Sequence, residues 1–295
     1  MSDAWHPRAI DRLGIALRRR GLGSNALLLA PALIFVVVFF GWPFVEIAWR
    51  GTYKGGFTFE FYRQVLFDGT YAKVFFYTFE VATLVTLAAT LISFPIAFVM
   101  ASARGLGGQL MVLCVTMPLL TSAIVRSFAW IVMVGRESAL SRLLMKLGLV
   151  SEPPELLYNK TSVVIGMTYI MVPFMVLTLY GVMRGINQDL IRVAYALGAS
   201  RWFAFRRVYL PLCLPGLVGG AILVFVMSLG FYVTPALMGG PSDVMMAMVI
   251  AREVEVGLNW PLAAAMATVL LCVTMIGLGL CARLVRIDLL LGSKA

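Results

Sequence analysis

Apolar residues run in six long blocks, at about 26–49, 74–101, 109–134, 161–183, 211–238 and 260–285, separated by shorter polar stretches. A helix rising 1.5 Å per residue needs roughly 20 residues to cross a hydrocarbon core about 30 Å thick, so each block predicts one membrane-spanning helix. An even number of spans puts both termini on one side. Arg18, Arg19 and Arg20 before the first block would also suit a secretory signal, but the block is long enough to span and no small-residue cleavage site follows it; an uncleaved first helix is expected. The expected organisation is a cytoplasmic tail at 1–25, a membrane domain at 26–285 and a cytoplasmic tail at 286–295, with no internal repeat and no separate soluble domain.

Charge supplies the orientation. Of the 24 Lys and Arg residues, 14 fall on the side of the termini and 9 on the other, with Arg126 inside a span, so the positive-inside bias predicts cytoplasmic termini. With 61% hydrophobic and 13% charged residues and a mean hydropathy of +0.93, the main solvent must be membrane lipid. The net charge of +10 does not imply nucleic acid, because the basic residues lie between apolar blocks rather than on one interleaved face. Cys114, Cys213, Cys272 and Cys281 lack CxxC spacing and read as small packing residues, and His6 is the one histidine; no metal site or His-based triad can be assembled. Trp42, Trp49 and Trp130, near the outer ends of their spans, suit an interfacial belt. Pro95, Pro118, Pro173 and Pro261 would kink their spans, which suits a helix-lined cavity, though such prolines occur in membrane helices of any function.

The loop before the fifth block, NQDLIRVAYALGASRWFAFRRVYLPLCLPG (187–216), departs from a plain connection. Leu190, Ile191, Ala194 and Leu197 recur at helical spacing, predicting a short amphipathic helix at the membrane surface. Gly198 permits a backbone turn, Ser200 can cap a second helix carrying Phe203 and Phe205, and Pro211 is expected to mark re-entry into the membrane. The result is a compact cytoplasmic knob of helix, glycine turn and helix, whose apolar face calls for a partner.

This segment resembles the EAA loop of ABC importer permeases, whose pattern is Glu-Ala-Ala, three residues, Gly, nine residues, Ile, one residue, Leu-Pro. Ala194, Gly198, Val208, Leu210 and Pro211 fall on that register, whereas Arg192 stands where the family has Glu and Val193 where it has Ala. MPLLTSAIVRSFAW (117–130), SLGFYVTPALMGGPSDVM (228–245) and NWPLAAA (259–265) narrow the resemblance to the spermidine/putrescine branch, with its PotB-like and PotH-like subunits. The resemblance implies an all-α polytopic chain with six transmembrane helices and the type I ABC importer (MetI-like) fold. It also implies a second homologous permease subunit, two ATPase subunits that bind the ATP and Mg, and a periplasmic substrate-binding protein, with no cofactor on this chain. Its ATPase-coupling surface would comprise Asp189, Arg192, Ala194, Gly198, Ala199, Phe203, Phe205, Leu210 and Pro211. No Gly-Lys dipeptide occurs, so a lysine-bearing P-loop is absent from the sequence and ATP hydrolysis falls to a partner.

The candidate translocation path consists of Glu80, Arg126, Trp130, Tyr232, Thr234 and Pro235. Counted from the ends of the apolar blocks, Glu80 and Arg126 have matching depths, about 9 and 12 Å, and could pair. Two readings stand: part of the substrate path or its outer gate, or a structural pair orienting spans two and three. Tyr232, Thr234 and Pro235 form either a polar patch by the path or a helix end with an aromatic anchor. Asp243, Glu253 and Glu255 read as outer-surface acids, solvated or attracting a cation or a binding protein, and Met245, Met246 and Met248 as packing. The first cargo expectation is a polyamine, with 4-aminobutyrate, opines or aminoethylphosphonate as alternatives; a polycation passing Arg126 requires its neutralisation by Glu80. An ion-gradient transporter would instead carry intramembrane acids in several spans, and an enzyme a His or acid cluster.

Overall fold

A computed structural model describes residues 31–53, 56–103, 105–148, 150, 152–153 and 155–291. The expected tail at 1–25, the start of the first span at 26–30, Arg104 and residues 292–295 lie outside the described residues, as do the side chains of 280–291, among them Cys281.

The described chain is helical apart from one isolated bridge between Tyr53 and Phe57. Helix α1 (Pro31–Arg50) packs chiefly along the last helix and exposes nearly all its side chains, including Trp42 and Trp49. Helix α2 (Glu60–Phe67) is short and buries Phe61 and Val65. Helix α3 (Gly69–Ser102) begins before the apolar block does, because the Asp68 carboxylate accepts the Thr70 N–H at 2.8 Å and caps it. Its 34 residues extend about 51 Å, well beyond a hydrocarbon core.

The third block is not one straight helix. It divides into α4 (Leu106–Leu120) and α5 (Ala123–Val134), bent by 99°. Pro118 lies in the 3-10 turn that ends α4, and Ser122 caps α5 by accepting the Ile124 N–H at 3.3 Å, so proline and cap together break the rod. Neither half has the roughly 20 residues a span needs by itself. Pro95 and Pro173, by contrast, sit inside uninterrupted helices.

After the short α6 (Ala139–Lys146), α7 (Lys160–Gly185) starts on a capping box between Asn159 and Ser162. A small helix α8 (Gln188–Ala196) leads to α9 (Arg201–Leu229). The expectation that a knob helix ends before a separate span at 211–238 is corrected at both ends. Residues 205–209 form a π turn in which the Leu210 N–H reaches back to Phe205 O, and this wider turn admits Pro211 without ending the helix. Past Gly230 the rod stops, and 233–238 is a separate helix, α10 (Val233–Met238). Helices α11 (Met246–Glu255) and α12 (Trp260–Leu291) complete the fold.

Among the described residues five unbroken helices are long and apolar enough to cross a membrane, and the bent pair α4–α5 makes up to six. The core is the trio α3, α7 and α9, where Val81, Val85, Ala89, Met167, Met171, Met175 and Val224 are fully enclosed. Gly216 lets α9 approach Val182 of α7, where an added Cβ would lie 2.9 Å from the valine side chain. A second cluster joins Phe61 and Val65 to Met246, Met266 and Val269. Of the cysteines, Cys213 is buried as expected, but Cys114 and Cys272 are exposed on the apolar exterior rather than packed inside.

Candidate functional site

The two ends of α7 separate two candidate regions. At its Gly185 end lies the knob. Asn187 accepts the Asp189 N–H at 2.9 Å to start α8, and Gly198 ends it at φ +84°, a left-handed conformation that costs any residue with a Cβ about 1–2 kcal/mol. Ser200 then accepts the Phe203 N–H at 3.3 Å and starts α9, so the knob is the cytoplasm-side expectation's helix–turn–helix with its second helix fused to a span.

The apolar positions of α8 divide between two faces. Ile191 and Ala194 turn toward the chain's own bundle, whereas Leu190, Val193, Tyr195 and Leu197 are exposed, Leu197 at 83%. Trp202 and Phe203 extend this exposed surface onto α9. Ala199 and Leu210 are half-buried, and Pro211 is exposed. Phe205 points the other way: its ring meets Phe94 and Phe98 of α3 edge-on at 6.1 and 6.2 Å and stacks with Trp202 and Tyr209. The knob is therefore locked to α3 by aromatics. Arg192, the residue that departs from the family pattern, pairs with Asp189 at 2.9 Å one helical turn away. Trp202 escaped the sequence reading; its signal was an aromatic flanked by Arg201 and Phe203 on the helix facing outward.

At the Lys160 end of α7 the expected Glu80–Arg126 pair does not form. Glu80 pairs instead with Lys160, the first residue of α7, whose ammonium also lies 5.6 Å from the centre of the Tyr77 ring. The reason is geometric: α5, which carries Arg126, packs chiefly on α10 and α7 rather than on α3, and Glu80 meets the start of α7 instead. Arg126 keeps Nε and Nη1 enclosed with no acceptor among the described residues. Its neighbour Ser127 does meet Thr234, the two hydroxyls 2.9 Å apart in a buried contact that joins α5 to α10. Trp130 is half-buried and packs edge-on against Tyr169 at 5.4 Å. Pro235 is buried and Tyr232 exposed, so the three residues of that patch do not share one face.

Asp243 is a further correction. Read as a surface acid, it is only 6% exposed: it accepts the Tyr77 hydroxyl at 2.8 Å and the Gly240 N–H at 2.9 Å. Thr78 accepts the Met246 N–H at 2.9 Å, and Ser162 donates to Met238 O at 2.7 Å, so the 239–245 loop is stitched to α3 and α7. Glu253 is half-buried and Glu255 exposed. Met245 and Met246 are fully buried packing residues. No cluster of metal-ligating side chains occurs among the described residues.

Known proteins resemble this chain in sequence and fold. Residues 93–286 match the family of binding-protein-dependent transport system inner membrane components. The spermidine/putrescine transport system permease protein PotB of Haemophilus influenzae is 31% identical over 200 residues, 68% of this chain and 70% of that one. The inner membrane ABC transporter permease protein YdcU of Escherichia coli is 30% identical over 294 residues, 92% of each chain. A solved bacterial ABC transporter that imports the acidic polysaccharide alginate shares the fold, with a TM-score of 0.65 at 17% identity over 92% of this chain and 99% of that one. The multi-pass helical fold, the loop register and the family match together place the chain in the binding-protein-dependent transport system inner membrane component family, the permeases of ABC importers.

Proposed function

We propose that this chain is the permease subunit of an importer for a small amine, with ATP hydrolysed by a separate ATPase that docks on the knob. The observation that carries the reading is the exposed apolar surface of Leu190, Leu197, Trp202 and Phe203, at the family's coupling register and continuous with a span. An amphipathic helix at a membrane surface leaves such a face to lipid or to a partner, and the family register favours the partner here. Because α9 is one rod of 29 residues from knob to Leu229, a push on the knob moves the bundle core, and the aromatic lock on α3 carries the same motion into its neighbour.

In this reading both termini are cytoplasmic, a second homologous permease completes the path, and two ATPases hold ATP and Mg. A periplasmic binding protein delivers cargo, as in the alginate transporter solved with its oligosaccharide-bound periplasmic protein. A polyamine is the first cargo, on the likeness to PotB. Arg126 favours a second reading. With Glu80 engaged by Lys160, its Nε and Nη1 keep no acceptor among the described residues, and a cargo bearing both ammonium and carboxylate, such as 4-aminobutyrate, fits it better.

The test is reconstitution in proteoliposomes with the cognate ATPases, second permease and binding protein. ATP-dependent uptake of labelled putrescine or spermidine supports the first cargo; uptake of 4-aminobutyrate alone supports the second. Uptake that needs an ion gradient and not ATP would overturn the reading.

A further inference from the structure

The Lys160–Glu80 contact has the composition of a ligand site. A carboxylate and an aromatic face are the two groups that together hold a primary ammonium, the first by charge and hydrogen bonding, the second through the ring quadrupole. Glu80 and Tyr77 are three residues apart on α3 and so present both groups side by side. The group resting on them is itself an alkylammonium: the Lys160 Nζ, on a four-carbon stem.

The two halves of the contact differ in how firmly they are held. Tyr77 is half-buried and fixed at its hydroxyl by Asp243, which is anchored in turn to the Gly240 N–H. Lys160 is held by Glu80 and the ring face, and the side chains of Lys160 and Glu80 are 37% and 53% exposed. A partly exposed ion pair contributes little to stability, so little is lost when another ammonium takes the place of the Lys160 one. The receptor half is thus preorganised and the occupant half replaceable. The site also lies where α3, α7 and the 239–245 loop meet, at the end of the bundle opposite the knob.

We infer that Tyr77 and Glu80 form a subsite for a primary ammonium of the cargo, and that the Lys160 side chain occupies it as a tethered stand-in until the cargo displaces it. This rests on the amine-cargo reading above and holds for either a polyamine or an amino acid, since both bring an ammonium. The sequence conceals it because Lys160 closes a polar loop and Glu80 falls inside an apolar block.

Two measurements test it, both on the full permease–ATPase assembly without binding protein. In the first, labelled 1,4-diaminobutane is bound to wild type, Lys160→Met and Glu80→Gln. Removing the stand-in is expected to tighten binding about threefold to tenfold, and removing the carboxylate to weaken it by a similar factor. n-Butylamine should compete and butyrate should not. Both variants shifting the same way, or neither shifting, would overturn the subsite and leave a pair that only ties α3 to α7. In the second, which needs no variant, the acetylation rate of Lys160 is read by mass spectrometry. It is expected to rise severalfold when diaminobutane is present; an unchanged rate would overturn displacement. Wild-type uptake measured in the complete system separates the two layers. No ATP-driven uptake of any amine refutes the cargo reading, whereas amine uptake with unshifted variants and an unchanged Lys160 rate refutes the subsite alone.

Discussion

The two ends of the bundle are finished in opposite ways. At the Lys160 end, the 239–245 loop is closed by the chain itself: Asp243, Thr78 and Ser162 satisfy its backbone and side-chain groups, and Met245 and Met246 are fully buried beneath it. At the knob, the hydrogen bonds start and stop two helices and join Arg192 to Asp189, and Leu190, Leu197, Trp202 and Phe203 stand exposed. Internally satisfied polar groups close a surface by themselves; uncovered apolar ones leave it open to lipid or, in the reading proposed above, to another protein. Stability and coupling should therefore be separable by where a substitution falls.

The largest effect is expected where the knob joins the bundle. Phe205→Ala removes a ring packed on Phe94 and Phe98 and should cost about 2–3 kcal/mol, seen as a lower melting temperature and yield. Phe203→Ala, two residues away but exposed, should change stability by less than about 0.5 kcal/mol while lowering ATP-driven uptake. Equal stability losses would erase the contrast between the two faces.

At the opposite end, Asp243→Ala leaves the Tyr77 hydroxyl and the Gly240 N–H without their acceptor and should cost about 2 kcal/mol. Thermal unfolding of the purified assembly checks it, and an unchanged midpoint would mean that this end is not held by its polar network.

Gly198→Leu introduces a side chain that meets nothing within 4 Å of its Cβ, so the damage should be to turn conformation and docking rather than packing. Uptake per ATP hydrolysed should fall about tenfold, the change that about 1.4 kcal/mol of misdocking brings, with near-normal yield. Wild-type coupling would remove Gly198 from the account. The smallest effect belongs to Asp189→Ala: its exposed pair with Arg192 should be worth about 0.5 kcal/mol or less in unfolding experiments, and less still at high salt.

What the sequence made legible follows from what each signal measures. Apolar length reports hydrocarbon thickness, so the blocks at 74–101, 161–183 and 260–285 correspond to α3, α7 and α12. It does not report where a helix begins in water, since the Asp68 cap starts α3 early, nor which helices pack together: α5 carries Arg126 onto α10 and α7, and Glu80 pairs with Lys160. Nor does it see a bend inside an apolar run. Pro118 marked the place, but the same residue type at Pro95 and Pro173 leaves helices unbroken, and only the adjoining Ser122 cap distinguishes them. Gly198 was legible because few residues adopt its φ. Asp243 was not, since a buried acid in a loop is recognisable only once Tyr77, far away in sequence, is seen to reach it.

The claim that the knob is an ATPase docking surface is tested most directly by Leu197→Glu combined with Trp202→Glu, at side chains 83% and 68% exposed. The account predicts a permease with the wild-type melting temperature that no longer co-purifies its ATPase and no longer transports with ATP. A doubly substituted permease that retains its ATPase and its ATP-driven uptake would contradict it.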